Sequence, residues 1–275
     1  DYVLMGELSL DGTLRGVKGA LPSAVGVHEH EMKGLILPAQ NAREAAVTGN
    51  IDVIPINTLL EAIRFLNGEQ IIEPVEVNAE HLFSEAQCYP VDLADVRGQA
   101  HVKRALEVAA SGGHNVLMIG PPGSGKTMLA KRFPTILPQM TLEEALETTK
   151  IHSIAGMVKT EGLVATRPFR SPHHTISDAA LVGGGRIPRP GEVSLAHHGV
   201  LFLDELPEFQ KNVLEVLRQP LENTEVTISR ASMSLTYPAN FILLSAMNPC
   251  PCGYSSDPRH ECTCSSVGIQ KYMAK

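Results

Sequence analysis

Eight consecutive residues carry the most explicit chemistry in the chain. Gly120-Pro121-Pro122-Gly123-Ser124-Gly125-Lys126-Thr127 fits G-x-x-x-x-G-K-[ST] at every fixed position. Glycines let successive backbone N–H groups turn toward phosphate oxygens. A lysine brings positive charge to the β/γ-phosphates, and a hydroxyl offers Mg²⁺ a hard oxygen ligand. Downstream, Gly199-Val-Leu-Phe-Leu ends in Asp204-Glu205. Asp204 would complete the Mg²⁺ shell, and Glu205 would polarise an attacking water. A third apolar run, Phe241–Met247, ends in Asn248, whose amide fits a group that places that water near the γ-phosphate.

A second kind of chemistry follows at once. Cys250-Pro-Cys252 and Cys262-Thr-Cys264 are two Cys-x-Cys pairs that can supply four thiolates to one tetrahedral zinc, with His260 as a spare ligand. Free thiols and disulfides are the alternatives. Four of the five cysteines fall in this short stretch, which suits a metal better than a disulfide framework and suits a cytosolic compartment. Cys88 stands alone and reads as a structural thiol. The pairs His173-His174 and His197-His198 read as hydrogen-bonding groups of their loops rather than metal ligands.

These groups need strands to carry them. Val116–Ile119 reads as a buried strand running into the glycine loop, and Met128–Phe133 as the helix after it. Gly199–Leu203 and Phe241–Met247 read as further core strands, and Gln210–Leu221 as an amphipathic helix. Glu225–Tyr237 alternates at period two around Arg230-Ala231, a hairpin signature. Gln99–Ser111 reads as a helix stopped by Gly112-Gly113, and Thr141-Leu-Glu-Glu144 as a capping box. Residues 153–197 are rich in Gly, Pro, His and Arg, a long loop-like stretch of the kind that serves a function.

Upstream, residues 1–72 alternate strands and helices: a hairpin about Asp11-Gly12, a helix from near Pro22, a strand at Gly34–Pro38, a helix at Ala39–Val47, a strand at Asp52–Pro55 and a helix capped by Asn57 or Thr58. Residues 73–90, acidic and aperiodic with prolines at either end, read as a linker. The reading is therefore an α/β protein: 1–72 a small domain, 73–90 a linker, 91–275 a nucleotide-binding core.

Composition bounds the class. The 275 residues suffice for two domains, and the net charge of −7, from 23 basic and 30 acidic residues, argues against a surface coated for nucleic acid. It leaves room for a few cations on loops lining a ring. No apolar run reaches the roughly 18 residues of a membrane helix. Both termini read as the interior of a longer protein.

Order then adds a resemblance. Asp95-Val96-Arg97-Gly98-Gln99, the phosphate loop, inserted loops, the Asp204-Glu205 strand, a hairpin and the Asn248 strand succeed one another as in AAA+ ATPases of the magnesium-chelatase-like clade. Arg167-Pro-Phe-Arg-Ser-Pro-His-His-Thr175, Pro188–Gly199 and Asn248-Pro-Cys-Pro-Cys-Gly253 resemble the ComM/YifB family more narrowly. The resemblance implies a P-loop AAA+ three-layer core cut before its lid, an arginine finger and sensor-2 arginine beyond residue 275, and a hexameric ring using ATP and Mg²⁺. It implies nucleotide contacts from Val96, Gly98 and Met128 beside the phosphate loop. It also implies helicase-like branch migration of DNA in natural transformation, with DNA contacts from bore loops. The candidates there are Lys159, Arg167, Arg170 and Arg230, then Arg186 and Arg189. A chelatase motor subunit and a protein-remodelling ATPase are the alternatives. Residues 1–72 resemble half of a Lon-protease-like, S5-like domain. Leu21 stands where a Lon-type catalytic lysine is expected, with Lys18 as a surface lysine nearby, so peptidase chemistry is not expected.

Overall fold

The structure is a computed structural model that describes residues 1–158, 162–185, 188–230, 233–255, 257–258 and 260–274, Arg230 by its backbone alone. The chain folds as two units, Asp1–Cys88 with Met140–Thr166, and Tyr89–Gln139 with Arg167–Lys275.

The first unit holds a three-stranded parallel sheet ordered β1 (Tyr2–Leu4), β2 (Gly34–Pro38), β3 (Asp52–Ile56). Every residue of β2 is buried, as its unbroken apolar run requires of a strand covered on both faces. Its side chains alternate between two clusters. Leu35 and Leu37 join α1 (Ala20–Glu29) and α2 (Ala39–Ala46), while Ile36 joins Ala62 and Phe65 of α3 (Leu59–Leu66). Thr58 caps α3 by accepting from Glu61 N–H. Leu21 is fully buried in α1.

Two expectations about this region are corrected. Residues 73–88 are not a free linker. Asn78 caps a helix, α4 (Ala79–Ala86), and Leu82 and Phe83 pack with Val47, Met140, Ala145 and Leu163. The acidic residues along α4 mask its short apolar stripe. The boundary is not linear either. The capping box at Thr141 starts the helix Leu142–Ala155 as expected, but that helix belongs to the first unit. Its Ser153 hydroxyl donates to the buried Glu44 carboxylate, which also accepts from Leu21 N–H at 3.2 Å, and Ser153 carbonyl accepts from Gly19 N–H at 3.1 Å. A buried carboxylate needs such donors, and these tie residues 140–166 to α1 and α2.

The second unit is built on a four-stranded parallel sheet. Its strands are β4 (Val116–Ile119), β5 (Phe169–Arg170), β6 (Val200–Leu203) and β9 (Ile242–Met247), in the order β4–β9–β6–β5. The antiparallel hairpin β7 (Glu225–Arg230) and β8 (Met233–Pro238) lies outside that sheet. Helix α5 (Ala100–Gly112) and helix α6 (Lys126–Arg132) cover the sheet through Leu106, Leu129, Ala130 and the adjoining Phe133, against Phe202 and Leu244. Gln210–Leu221 is not one helix but two short ones, Lys211–Glu215 and Arg218–Asn223. Among the described residues no helix is long and apolar enough to cross a membrane.

Candidate nucleotide site and thiolate cluster

Register sets the site. Met247 pairs with Ile119, and Leu203 with Ser245, so β4, β9 and β6 end side by side. The residues that follow, Gly120, Asn248 and Asp204, therefore emerge along the carboxyl edge of a parallel sheet, where ligands of open α/β sheets bind. β9 sits between its two partners although it comes last in sequence, which is how residues 122 and 77 positions apart become neighbours.

Gly125 adopts φ 87°, a left-handed turn that strains any L side chain, and Lys126 opens α6 directly after it. The Lys126 ammonium donates to the carbonyls of Gly120 (2.7 Å) and Pro121 (3.1 Å) and to Asn248 Oδ1 (3.2 Å). Burial lowers its pKa from the ordinary lysine value, against the pull of the Asp204 and Glu205 carboxylates. Thr127 Oγ1 donates to Asp204 Oδ2 at 2.6 Å. Glu205 donates its N–H to Asp204 Oδ1 at 3.0 Å and lies at φ 54°, a left-handed conformation that costs a non-glycine residue about 1 kcal/mol or more. Such strain in a carboxylate-bearing residue beside Asp204 makes Glu205 a candidate functional position. Ser124 Oγ is buried in the phosphate loop without a hydrogen-bond partner. All five residues expected to do the chemistry are thus assembled: Lys126, Thr127, Asp204, Glu205 and Asn248.

The chain matches the family described as "Magnesium chelatase, subunit ChlI" over residues 92–275, and "Subunit ChlI of Mg-chelatase" over residues 1–41. It belongs to the magnesium-chelatase ChlI family. Within that family, competence protein ComM of Haemophilus influenzae is 46% identical over 254 residues, 92% of this chain and 50% of the relative. The uncharacterized protein YifB of Escherichia coli is 45% identical over 264 residues, 96% of this chain and 51% of the relative. The chain therefore spans about half the length of these curated relatives. Among solved structures, the cryo-EM-based BchI–BchD complex of magnesium chelatase covers 58% of this chain and 56% of its own, at 24% identity and a TM-score of 0.47.

Other expected site residues fall differently. Met128 is half exposed on α6. A cavity of about 460 Å³ is lined by Gln99, Val102, Leu106, Leu117, Ile119 and phosphate-loop residues including Ser124 and Lys126. Val96 does not line it. Its side chain is 2% exposed and packs in the core with Leu93 and Leu106. Gly98 is a left-handed turn residue ahead of Gln99.

Two arginines expected on DNA are engaged within the chain. The Arg167 guanidinium donates to the carbonyls of Pro138, Gln139 and His198 at 2.6, 3.3 and 2.8 Å. Arg170 makes a two-pronged pair with Glu192 at 2.6 and 2.8 Å. Both guanidinium forks are matched by acceptors close at hand, so these arginines brace the inserted loops. Lys159 and Arg186 lie outside the described residues. Arg230 ends β7 at the hairpin turn, and Arg189 lies in the two-residue strand Arg189–Pro190.

His174 and Tyr272 are the residues that sequence reasoning missed. His174 Nδ1 sits 3.4 Å from a Glu205 carboxylate oxygen. The His173-His174 pair reads from sequence as hydrogen-bonding groups of its own loop, and nothing near it in sequence points to a carboxylate 31 residues on, beyond the end of β6. His197, by contrast, is 3% exposed and accepts the Asn240 N–H at 3.0 Å, a loop-bracing role. Tyr272 is buried on α7 (Ser266–Met273), and burial raises its pKa against the opposing pull of the Asn248 N–H nearby.

The four cysteines following Asn248 come together. All are free, and their sulfurs lie within 4.8 Å of one another. Cys250 Sγ is 3.3 Å from Cys252 Sγ and 3.7 Å from Cys262 Sγ, and Cys252 and Cys262 are 3.6 Å apart. The Tyr254 N–H and the Cys250 thiol pull Cys252 down to about 6. His260 does not join them: its Nδ1 pairs with Asp257 at 3.0 Å and its ring stacks on Tyr254.

Proposed function

We propose that this chain is the ATP-hydrolysing core of a ring-forming AAA+ motor that works on DNA, driving helicase-like branch migration of incoming strands in the cytoplasm during natural transformation. The observation that carries the reading is the convergence of Lys126, Thr127, Asp204, Glu205 and Asn248 at the ends of three adjacent strands. Thr127 and Asp204 offer hard oxygens 2.6 Å apart, the donor set that suits Mg²⁺. When bound there, Mg²⁺ would neutralise charge on the β- and γ-phosphates. The orphaned Ser124 hydroxyl supports a phosphate oxygen as its missing partner. Lys126, now spread over Gly120, Pro121 and Asn248, would exchange loop carbonyls for phosphate oxygens. Glu205 would orient the attacking water and take its proton, and Asn248 would hold that water in line. His174 would hold Glu205 until the water is in place. Gly98 and Met128 would border the nucleotide.

The competence name of the Haemophilus relative supports DNA as the substrate. Arg230, the last residue of β7 in a hairpin outside that sheet, is our candidate to meet it. The second unit is read as an AAA+ nucleotide-binding core, completed in a homo-hexamer by an arginine finger from a neighbour. The first unit is read as half of a Lon-like, S5-like module acting as a companion domain. ATPase rates of the intact protein with and without forked DNA test the function. The expected result is stimulation that falls in Arg230→Ala. A rate indifferent to DNA at low salt overturns it.

A second reading is favoured by the family's own description: a motor subunit that spends ATP to help insert Mg²⁺ into a porphyrin. It predicts no response to DNA in the same assay, and ATPase coupled to a chelatase partner. A protein-remodelling ATPase would respond to neither.

A further inference from the structure

The segment after Asn248 leaves the nucleotide site, runs through the four thiols and returns to it. Cys250 lies two residues beyond Asn248 and is fully buried. The turn that follows is closed by Gly253 N–H on Cys250 carbonyl at 3.0 Å. Gly253 has φ 91°, and a Cβ there would lie 2.6 Å from Cδ of Pro122, so this turn rests directly on the phosphate loop. Cys264 leads into Ser265, which caps α7 by accepting from Gly268 N–H at 3.1 Å. Tyr272 on α7 then comes near enough to the Asn248 N–H for that group to oppose the rise in its pKa. Asn248 itself touches Lys126 at 3.2 Å. Between the first Cys-x-Cys pair and the second, the contacts among the described residues are sulfur ones, Cys252 N–H to Cys264 Sγ at 3.4 Å among them, and that is the link an ion would fasten.

Sulfur spacing says what that link is. A tetrahedral ion with Zn–S bonds of about 2.3 Å holds its thiolates about 3.8 Å apart. The observed separations of 3.3, 3.6 and 3.7 Å all fall just short of that value. A disulfide needs about 2.05 Å, and an iron–sulfur cluster spreads its four thiolates over two or four irons and so needs a wider cage. The surrounding donors suit thiolate charge. Ser255 N–H faces Cys250, Thr263 N–H faces Cys252, and Cys252 N–H donates to Cys264 Sγ at 3.4 Å, while the Ser255 hydroxyl donates to the Pro249 carbonyl at 3.3 Å.

We infer that Cys250, Cys252, Cys262 and Cys264 bind one Zn²⁺, and that this ion is a strut of the nucleotide site, fixing Asn248 against Lys126 and seating the Gly253 turn on Pro122. The inference rests on the reading of Gly120–Thr127 as an ATP site. The cysteines are positioning residues, acting through Asn248.

Elemental analysis of the intact protein comes first and should give about one zinc per chain. A mercurial thiol reagent should then release that zinc, and turnover should fall by roughly 10²-fold, as for displaced catalytic groups. Binding of a fluorescent ATP analogue should change much less. In Asn248→Ala the release of zinc should have little further effect on kcat, the non-additivity expected of coupled groups. Cys262→Ser is the direct variant. Because it could fail to fold, Co²⁺ replacement in the wild-type protein is run beside it and should give the charge-transfer and d–d bands of a tetrahedral tetrathiolate. Absence of stoichiometric zinc, or iron in its place, overturns the site. Equal losses of kcat on zinc release in wild type and Asn248→Ala overturn the strut. Lys126→Ala separates the underlying reading: if that variant binds the ATP analogue as wild type does, the nucleotide assignment fails, while metal content and the cobalt spectrum still judge the zinc.

Discussion

The phosphate loop and the thiolate loop are neighbours of opposite design. The first is continuous in sequence, and its polar groups sit in provisional arrangements. Lys126 is shared among two carbonyls and one amide, Ser124 Oγ has no partner, and Glu205 is held in a strained backbone conformation. The second is split in sequence, and its four ligands already face one another, surrounded by N–H donors. A site whose occupant changes every turnover needs groups that can exchange partners cheaply. A site that keeps one occupant needs a cage that forms once. One end of the thiolate loop begins two residues from the group touching Lys126, so an ion held there would stiffen the proposed nucleotide site.

The comparison breaks most easily at the transient site. Glu205→Gln should retain nucleotide binding and lose hydrolysis by about 10²–10⁴-fold, the worth of a general base. Hydrolysis at the wild-type rate, measured as phosphate release, would reassign the base. Lys126→Ala should weaken nucleotide binding and turnover by about 10²-fold, as the loss of a charged donor to phosphate does. At the permanent site, stripping zinc with a strong chelator should lower the melting temperature of the intact protein, because metal binding energy is folding energy there. Lys126→Ala should leave that transition alone. If both treatments shift melting equally, the two loops do not divide the work as described.

Smaller effects sharpen the picture. Arg230→Ala should lower DNA affinity regardless of sequence and reduce the salt slope by about 1, measured by anisotropy across ionic strengths. Arg170→Ala should instead destabilise the fold, since its partner is Glu192. His174→Ala should change the ATPase rate at most about fivefold, because its pairing with Glu205 is largely exposed. A larger change would mean that His174 contacts the reacting groups.

Much of the site was legible before any coordinates. The strand Val116–Ile119, the glycine loop, the Asp204-Glu205 strand and the Asn248 strand occur where periodicity and turn chemistry placed them. Local signals held because each element carries its own: an apolar run, a left-handed glycine, a carboxylate at a strand end. Long-range economy stayed invisible. Nothing near Arg167 or Arg170 in sequence says that three carbonyls and a carboxylate wait elsewhere, so both read as free cations. Val96 likewise read as a ligand contact, whereas its apolar side chain fills the core. The helix Leu142–Ala155 announced its capping box, but its allegiance to the first unit depends on Ser153 meeting Glu44, 109 residues away.

Sequence alone determined the chemistry available: a phosphate-cradling loop, two carboxylates for metal and water, an amide, and four thiols in two pairs. Residue type and short-range spacing suffice for that, because each motif's function is written in its own atoms. Tertiary structure decided the rest. It inserted β9 between β4 and β6, bringing Asn248 to Lys126 and Asp204 to Thr127. It closed the two cysteine pairs on one another, and it paired Arg167 and Arg170 with acceptors within the chain. Those outcomes follow from strand order and burial, which emerge only when distant segments compete for the same core and the same hydrogen-bond partners.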